Sequence, residues 1–295
     1  MSKIAQIDQW LVRRPSGERR AGYRHQLLME DPPNLTVIVA EVRGYFGRAY
    51  RDFIEHYRGL LYSKALCPYI DEDHSTADWL HPRHLSIEVL RGHFGEIVTG
   101  IVAEHYSPHG HDTWMVPAFL FRFHIVAFQK LEQWRQTGLQ PEGPLPGRTG
   151  DDCLAFLRDG NGTIVKCLHC EAKCTTGHNA DLVNEAHQQI SDALIKDVPL
   201  LIEVLGDRGD EESKRWVEAL RQFWIADMNA SSIKNDMIVY VCGKDRVRGE
   251  GKPSWVTGEE SHPAYTADRL LEVVEVHLND VDVTVRRIYR KEEVA

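Results

Sequence analysis

Apolar and polar positions alternate at the start of the chain, where Ile4 to Val12 and Tyr23 to Leu28 read as short strands. Leu35 to Val42 (LTVIVAEV), a β-branched run between Pro32-Pro33 and Gly44, reads as a third. The period then lengthens: Phe53, Ile54, Tyr57 and Leu60 are three and four apart, which predicts a helix over Ala49 to Leu61. His74 to Arg83, with Pro82 inside it, reads as a linker. From Leu85 to about Tyr106, Leu90, Phe94, Ile97 and Ile101 form one apolar helical stripe. The pattern divides the chain into an N-terminal α+β region, residues 1–84, and a larger α/β domain, residues 85–295.

The larger region continues with an apolar segment, Trp114 to Phe123, a helix to Trp134, and an irregular loop, Gln140 to Gly150, rich in proline and glycine. Asp152 to Phe156 reads as a strand, Asp159-Gly160-Asn161-Gly162 as a tight turn, and Thr163 to Cys174 as the returning strand. Helices are predicted over Asn179 to Leu205 and Glu211 to Ala226, and late strands over Met237 to Val241 and Leu271 to His277. Helices and strands in this order predict an α/β fold with a mixed sheet covered by helices.

Composition narrows the function classes. With 35 Lys+Arg against 44 Asp+Glu, the 295-residue chain carries a formal charge of -9, which argues against a protein that coats nucleic acid by charge alone. The longest apolar stretch, Trp114 to Phe128, contains Arg122 and His124 and falls short of the roughly 20 residues a membrane span needs. Met1 to Trp10 lacks the apolar region of a secretory signal, so a cytoplasmic protein with reduced thiols is expected. No Gly-x-Ser-x-Gly elbow, phosphate-binding Walker loop or dinucleotide fingerprint occurs, and the corresponding enzyme classes lose support.

The informative chemistry lies in the hairpin. Strand residues two apart share a face, so Glu171 and Lys173 project the same way and Ala172 the opposite way. The turn at Gly160 brings the start of the first strand, Asp151-Asp152, beside Glu171. Two carboxylates and an ammonium therefore converge, an arrangement that is costly unless a cation compensates the acids. Magnesium takes a few carboxylate oxygens and keeps waters, which suits hydrolysis of a phosphodiester.

Asp152 followed by an apolar strand, a hairpin and Glu171-Ala172-Lys173 resembles the PD-(D/E)xK nucleases, the restriction-endonuclease-like fold, over roughly Leu85 to Leu205. The resemblance implies a Mg2+ (or Mn2+) enzyme with Asp152 and Glu171 as ligands and Lys173 placing the attacking water. It further implies that Glu96, in the helical Phe94-Gly95-Glu96, supplies another acid, with Gly92 and Gly100 leaving room for a cleft. Gln188 and Gln189, on the helix after the lysine strand, would contact the substrate backbone. The family's Pro-Asp pair is absent, which leaves Asp151 or Asp152 open as the ligand, although Asp152 abuts the strand directly. With the closing segment Leu271 to Tyr289, the same elements are similar to the nuclease subunit of Hachiman-type anti-phage systems. That likeness implies bacterial defence, DNA in preference to RNA as substrate, and a helicase partner.

Other residues compete for attention. Cys167, Cys170, Cys174 and His178 have spacings compatible with zinc or an iron-sulfur cluster, and they support an alternative reading as a non-enzymatic binding module. In a strand, however, Cys167 faces away from Cys170 and Cys174. His105, His109 and His111 read as a solvated turn. Basic patches at Arg13, Arg14, Arg19, Arg20 and Arg24, at Lys244, Arg246, Arg248 and Lys252, and at Arg286, Arg287, Arg290 and Lys291 are candidate phosphate contacts.

Overall fold

A computed structural model of the chain describes residues 4–16, 22–61, 86–121, 152–226, 233–243 and 254–289. The linker expected at His74 to Arg83, the helix ending at Trp134, the Gln140–Gly150 loop, Asp151 and the late basic loop lie outside these residues.

A six-stranded mixed sheet organises the molecule, in the order β1-β2-β6-β5-β4-β3. Its strands are β1 (Leu11–Arg14), β2 (Tyr23–Glu30), β3 (Cys153–Arg158), β4 (Ile164–Thr175), β5 (Lys234–Gly243) and β6 (Leu271–Leu278). The four inner strands β2, β6, β5 and β4 run parallel, while β1 and β3 pair antiparallel at the edges. Every residue of β5 and β6 is buried, as expected of parallel strands covered on both faces. The expected α/β class, a mixed sheet flanked by helices, describes this architecture. β1 and β2, from the N-terminal region, continue the same sheet through the β2–β6 ladder.

The helices are α1 (Ile7–Trp10), α2 (Pro32–Leu61), α3 (Ile87–His105), α4 (Ala180–Asp192), α5 (Val198–Arg208), α6 (Glu211–Ile225) and α7 (Val281–Tyr289). One face of the sheet, carrying Leu168, Cys170, Met237, Val239, Val241, Val274 and Val276, packs with residues of α2, α3 and α7 in the largest core cluster. The other face is covered in two parts. Cys167, Leu154 and Phe156 pack with α5 and α6, and Ile238, Tyr240 and Val273 pack with Val183, Ala186 and Ile190 of α4.

Three expectations from the pattern are corrected. Leu35 to Val42 is not a strand but part of α2. Leu35, Ile38, Val42, Tyr45, Phe46, Ala49 and Tyr50 are all buried, whereas Val37 is 71% exposed. That three-and-four spacing overrides the β-branched composition, and Pro32-Pro33 suit a first helical turn, where their missing amides cost nothing. The strand expected over Ile4 to Val12 is instead α1 followed by β1. The helix expected over Asn179 to Leu205 is two helices, broken at residues 193–197, with Pro199 in the first turn of the second. A proline in mid-helix would remove a backbone donor and clash with the preceding turn.

The histidine segment is also corrected. His109 is buried rather than solvated, within a short 3-10 turn (Pro108–Gly110), and its Nε2 lies 3.0 Å from the Asp236 carbonyl oxygen. Ser107 and His109 both have positive φ, at 50° and 53°. His105 points elsewhere, accepting from the Ile4 amide at 3.3 Å. Two members of the first basic patch are engaged within the fold: Arg13 donates to the Tyr106 carbonyl at 2.7 Å, and Arg24 lies 3.7 Å from buried Glu272.

Candidate functional site

β3 and β4 form the expected hairpin. Asp159 closes its turn, its carboxylate accepting from the Asn161 and Thr163 amides at 2.9 Å each. Cys153 pairs with Cys170 in register, so the residue before β3, Asp152, falls beside Glu171. Its carboxylate is fixed there: Asp152 Oδ2 accepts from the Ala172 amide at 2.8 Å. That single bond sets the first acid at the strand that carries the second.

Glu171 and Lys173 share a face and contact one another, with Nζ 3.1 Å from Glu171 Oε1. Both side chains keep 15% of their surface exposed, open enough to meet a ligand and sheltered enough to strengthen electrostatics. The face is that of α4. From this helix, Glu185 Oε1 lies 3.1 Å from Lys173 Nζ, and Gln189 Oε1 accepts from the same ammonium at 2.8 Å. Gln189 Nε2 in turn donates to Glu185 Oε1 at 2.8 Å. Burial pulls the Lys173 pKa down, but pairing with Glu171 and Glu185 outweighs it, and the net displacement is upward. Lys173 is thus a fixed cation at neutral pH, suited to orienting a water or balancing anionic charge and unsuited to accepting a proton.

The asparagine at the start of α4 explains why this helix stands where it does. Asn179 caps it, its side chain accepting from Asp181 N at 2.9 Å and Leu182 N at 3.3 Å. Its far end is tied to the sheet by Arg269, which donates to the Ile190 and Ser191 carbonyls at 3.2 and 3.0 Å. Arg269 also pairs with buried Asp236 of β5 at 2.8 Å.

Among the residues expected from the sequence, the structure brings together Asp152, Glu171, Lys173 and Gln189. Gln188 is exposed on α4, and no contact places it with the lysine. Glu185 was not anticipated. Its signal was present, four residues before Gln189 on the polar side of an amphipathic helix, but nothing in the pattern aims that side at β4.

Glu96 is not brought into the cluster. α3 packs on the opposite face, where Gly95 sits over Cys174 and Ala172. Glu96 is only 2% exposed, and its charge acts on Tyr50 and Tyr289 in the α2–α3–α7 core. The cleft expected beside Gly100 is also filled, because the ring of Phe119 occupies the space a side chain would take there.

The cysteine and histidine donors do not converge either. Cys167 lies in the α5–α6 core cluster, Cys170 and Cys174 lie on the α3 side, and burial pushes the Cys174 thiol up to about 12. His178 is stacked on Trp255. Among the described residues, no group of three or more His, Cys, Asp or Glu is arranged to hold a metal ion. Glu96, buried on the α3 side of the sheet, stands apart from the Asp152–Glu171 pair. Asp152 and Glu171, on adjacent strands, do suit a hard cation that retains several waters and takes its remaining oxygens from a substrate.

No protein-family model matches the chain, and no curated protein matches it. The residues themselves must carry the functional reading. Among the described residues, no helix is long and apolar enough to cross a membrane.

Proposed function

We propose that this protein is a metal-dependent nuclease that hydrolyses phosphodiester bonds, DNA in preference to RNA, with Asp152 and Glu171 holding Mg2+ (or Mn2+). The observation that carries this reading is the bond from the Ala172 amide to Asp152 Oδ2, which joins the aspartate-led strand to Glu171 and Lys173. Bound there, a divalent cation would polarise a phosphoryl oxygen and acidify a water. The chain's own residues do the rest. Asp152 and Glu171 present oxygens from two rigid strands. Lys173, held protonated by Glu171 and Glu185, orients the attacking water by donating to it and offsets the charge that develops on phosphate. Gln189 and Glu185 keep the lysine side chain in one rotamer, so little ordering remains for the moment of reaction.

The likeness of these motifs to PD-(D/E)xK nucleases and Hachiman-type subunits supports a place in bacterial anti-phage defence or restriction. The reading includes a cytoplasmic location and a helicase partner, which would supply nucleic-acid grip that a chain of charge -9 lacks.

Purified protein incubated with Mg2+ and labelled DNA or RNA should cleave, and Glu171→Ala and Lys173→Ala should each lower the rate by about 100-fold or more. Equal cleavage by the wild type and both variants overturns the assignment.

A further inference from the structure

The α4 face of the sheet also carries an aromatic pair that the hydrolysis does not use. The rings of His178 and Trp255 lie parallel, with centroids 4.0 Å and planes 2° apart. Both residues are half-buried, so each keeps surface open to solvent. His178 meets Tyr240 edge-on at 5.9 Å, and the Tyr240 hydroxyl lies 3.3 Å from His178 Nδ1. Tyr240 is the register partner of Lys173 on the neighbouring strand. Tyr240, which the stack meets edge-on, and Lys173 therefore share one face of neighbouring strands, about 4.8 Å apart at the backbone.

Independent devices hold this pair. The chain leaves β4 and crosses the end of β5 where Gly243 has no side chain, because a Cβ there would collide with the Thr176 carbonyl. The Asn179 amide then donates to the Tyr240 hydroxyl at 2.8 Å. On the other side, buried Glu275 of β6 accepts from the Trp255 and Val256 amides at 2.9 and 2.8 Å and from the Ser254 hydroxyl. Two remote chain segments are thus anchored so that two flat rings meet on the sheet face that carries Glu171 and Lys173.

We infer that His178 and Trp255 form a stacking platform for an unpaired nucleobase, so that the protein takes single-stranded nucleic acid with its backbone at Asp152, Glu171 and Lys173. The inference rests on the nuclease reading and narrows its substrate class. A base inside a duplex has both faces covered by its neighbours and cannot use such a platform, whereas a single strand offers every base face. Charge points the same way. At -9 the chain repels phosphate overall, which shifts affinity toward contacts that do not depend on charge.

Fluorescence anisotropy of the full chain, with Ca2+ in place of Mg2+ to hold the site without turnover, tests this with three probes: a short oligothymidylate, an abasic strand of equal phosphate number, and a duplex. The oligothymidylate should bind about 5-fold to 100-fold more tightly than the abasic strand, which requires no change to the protein. His178→Ala and Trp255→Leu should abolish the difference, and Trp255→Phe should keep most of it. Equal affinity for thymidylate and abasic strands, or tighter binding of the duplex, overturns the platform. If the wild type still cleaves in Mg2+ in that case, the nuclease reading survives alone. No binding of any probe together with no cleavage removes both.

Discussion

Two carboxylate sites lie on the same face of one sheet and differ in almost every respect that matters for chemistry. Glu275 of β6 is completely buried, and its oxygens are surrounded by His25 and His277 at 2.9 and 2.8 Å, the Ser254 hydroxyl and two backbone amides. Burial alone would raise its pKa, but these hydrogen bonds override it and hold the group well below the usual carboxylate range. Glu171 of β4 keeps 15% of its side chain exposed and faces a lysine that itself has neighbours on α4. A carboxylate saturated by the fold shapes the fold; one left at the surface beside a fixed cation can accept a ligand. Glu275 is thus saturated within the fold, whereas Glu171 keeps room for a ligand.

Removing each acid should expose that difference. Glu275→Ala leaves two imidazoles, a hydroxyl and two amides facing a void, and should cost about 3–5 kcal/mol of stability in denaturant titration. A loss below about 1 kcal/mol would show that the network is dispensable. Glu171→Ala, by contrast, should change stability by no more than about 1 kcal/mol while removing cleavage. If both variants melt alike, the distinction between the sites fails.

Acid should act on the two kinds of group in sequence. Burial lowers the pKa of His109 and His187 below 6.5, so the unfolded chain takes up their protons first and stability falls as pH drops below about 6.5. The folded Glu275 pKa is also depressed, so its contribution is intact above its ordinary value of 4.5 and is lost as pH falls below it. Thermal melts against pH should therefore show two declines, and Glu275→Gln should remove only the more acidic one. The smallest effect is expected at Glu185, whose side chain is 48% exposed. Glu185→Ala should cost under about 1 kcal/mol of stability, with a loss of cleavage no greater than a few-fold. A loss as large as that of Lys173→Ala would move Glu185 into the chemistry itself.

Much of this was legible in advance because it depends on local geometry. The hairpin from Cys153 to Thr175, its Asp159 turn, and the shared face of Glu171 and Lys173 follow from strand periodicity and turn residues. The α3 stripe followed from three-and-four spacing. Leu35 to Val42 was misleading because β-branched composition and helical spacing pointed in opposite directions, and burial against the sheet favoured the spacing. Glu96 was misplaced because a helical wheel says which side of a helix a residue occupies but not which face of a sheet the helix covers. Glu185 was invisible for the same reason.

The sequence alone determined the alternation that sets two acids and a lysine at one end of a hairpin, since that needs only the two-residue strand period and a two-strand register. Only the tertiary structure decided that α4, and not α3, covers those side chains, that Asp152 is fixed to the Ala172 amide, and that His178 meets Trp255, 77 positions further along the chain. Those relations depend on the packing of remote elements against a common sheet, and no local period encodes which remote faces will touch.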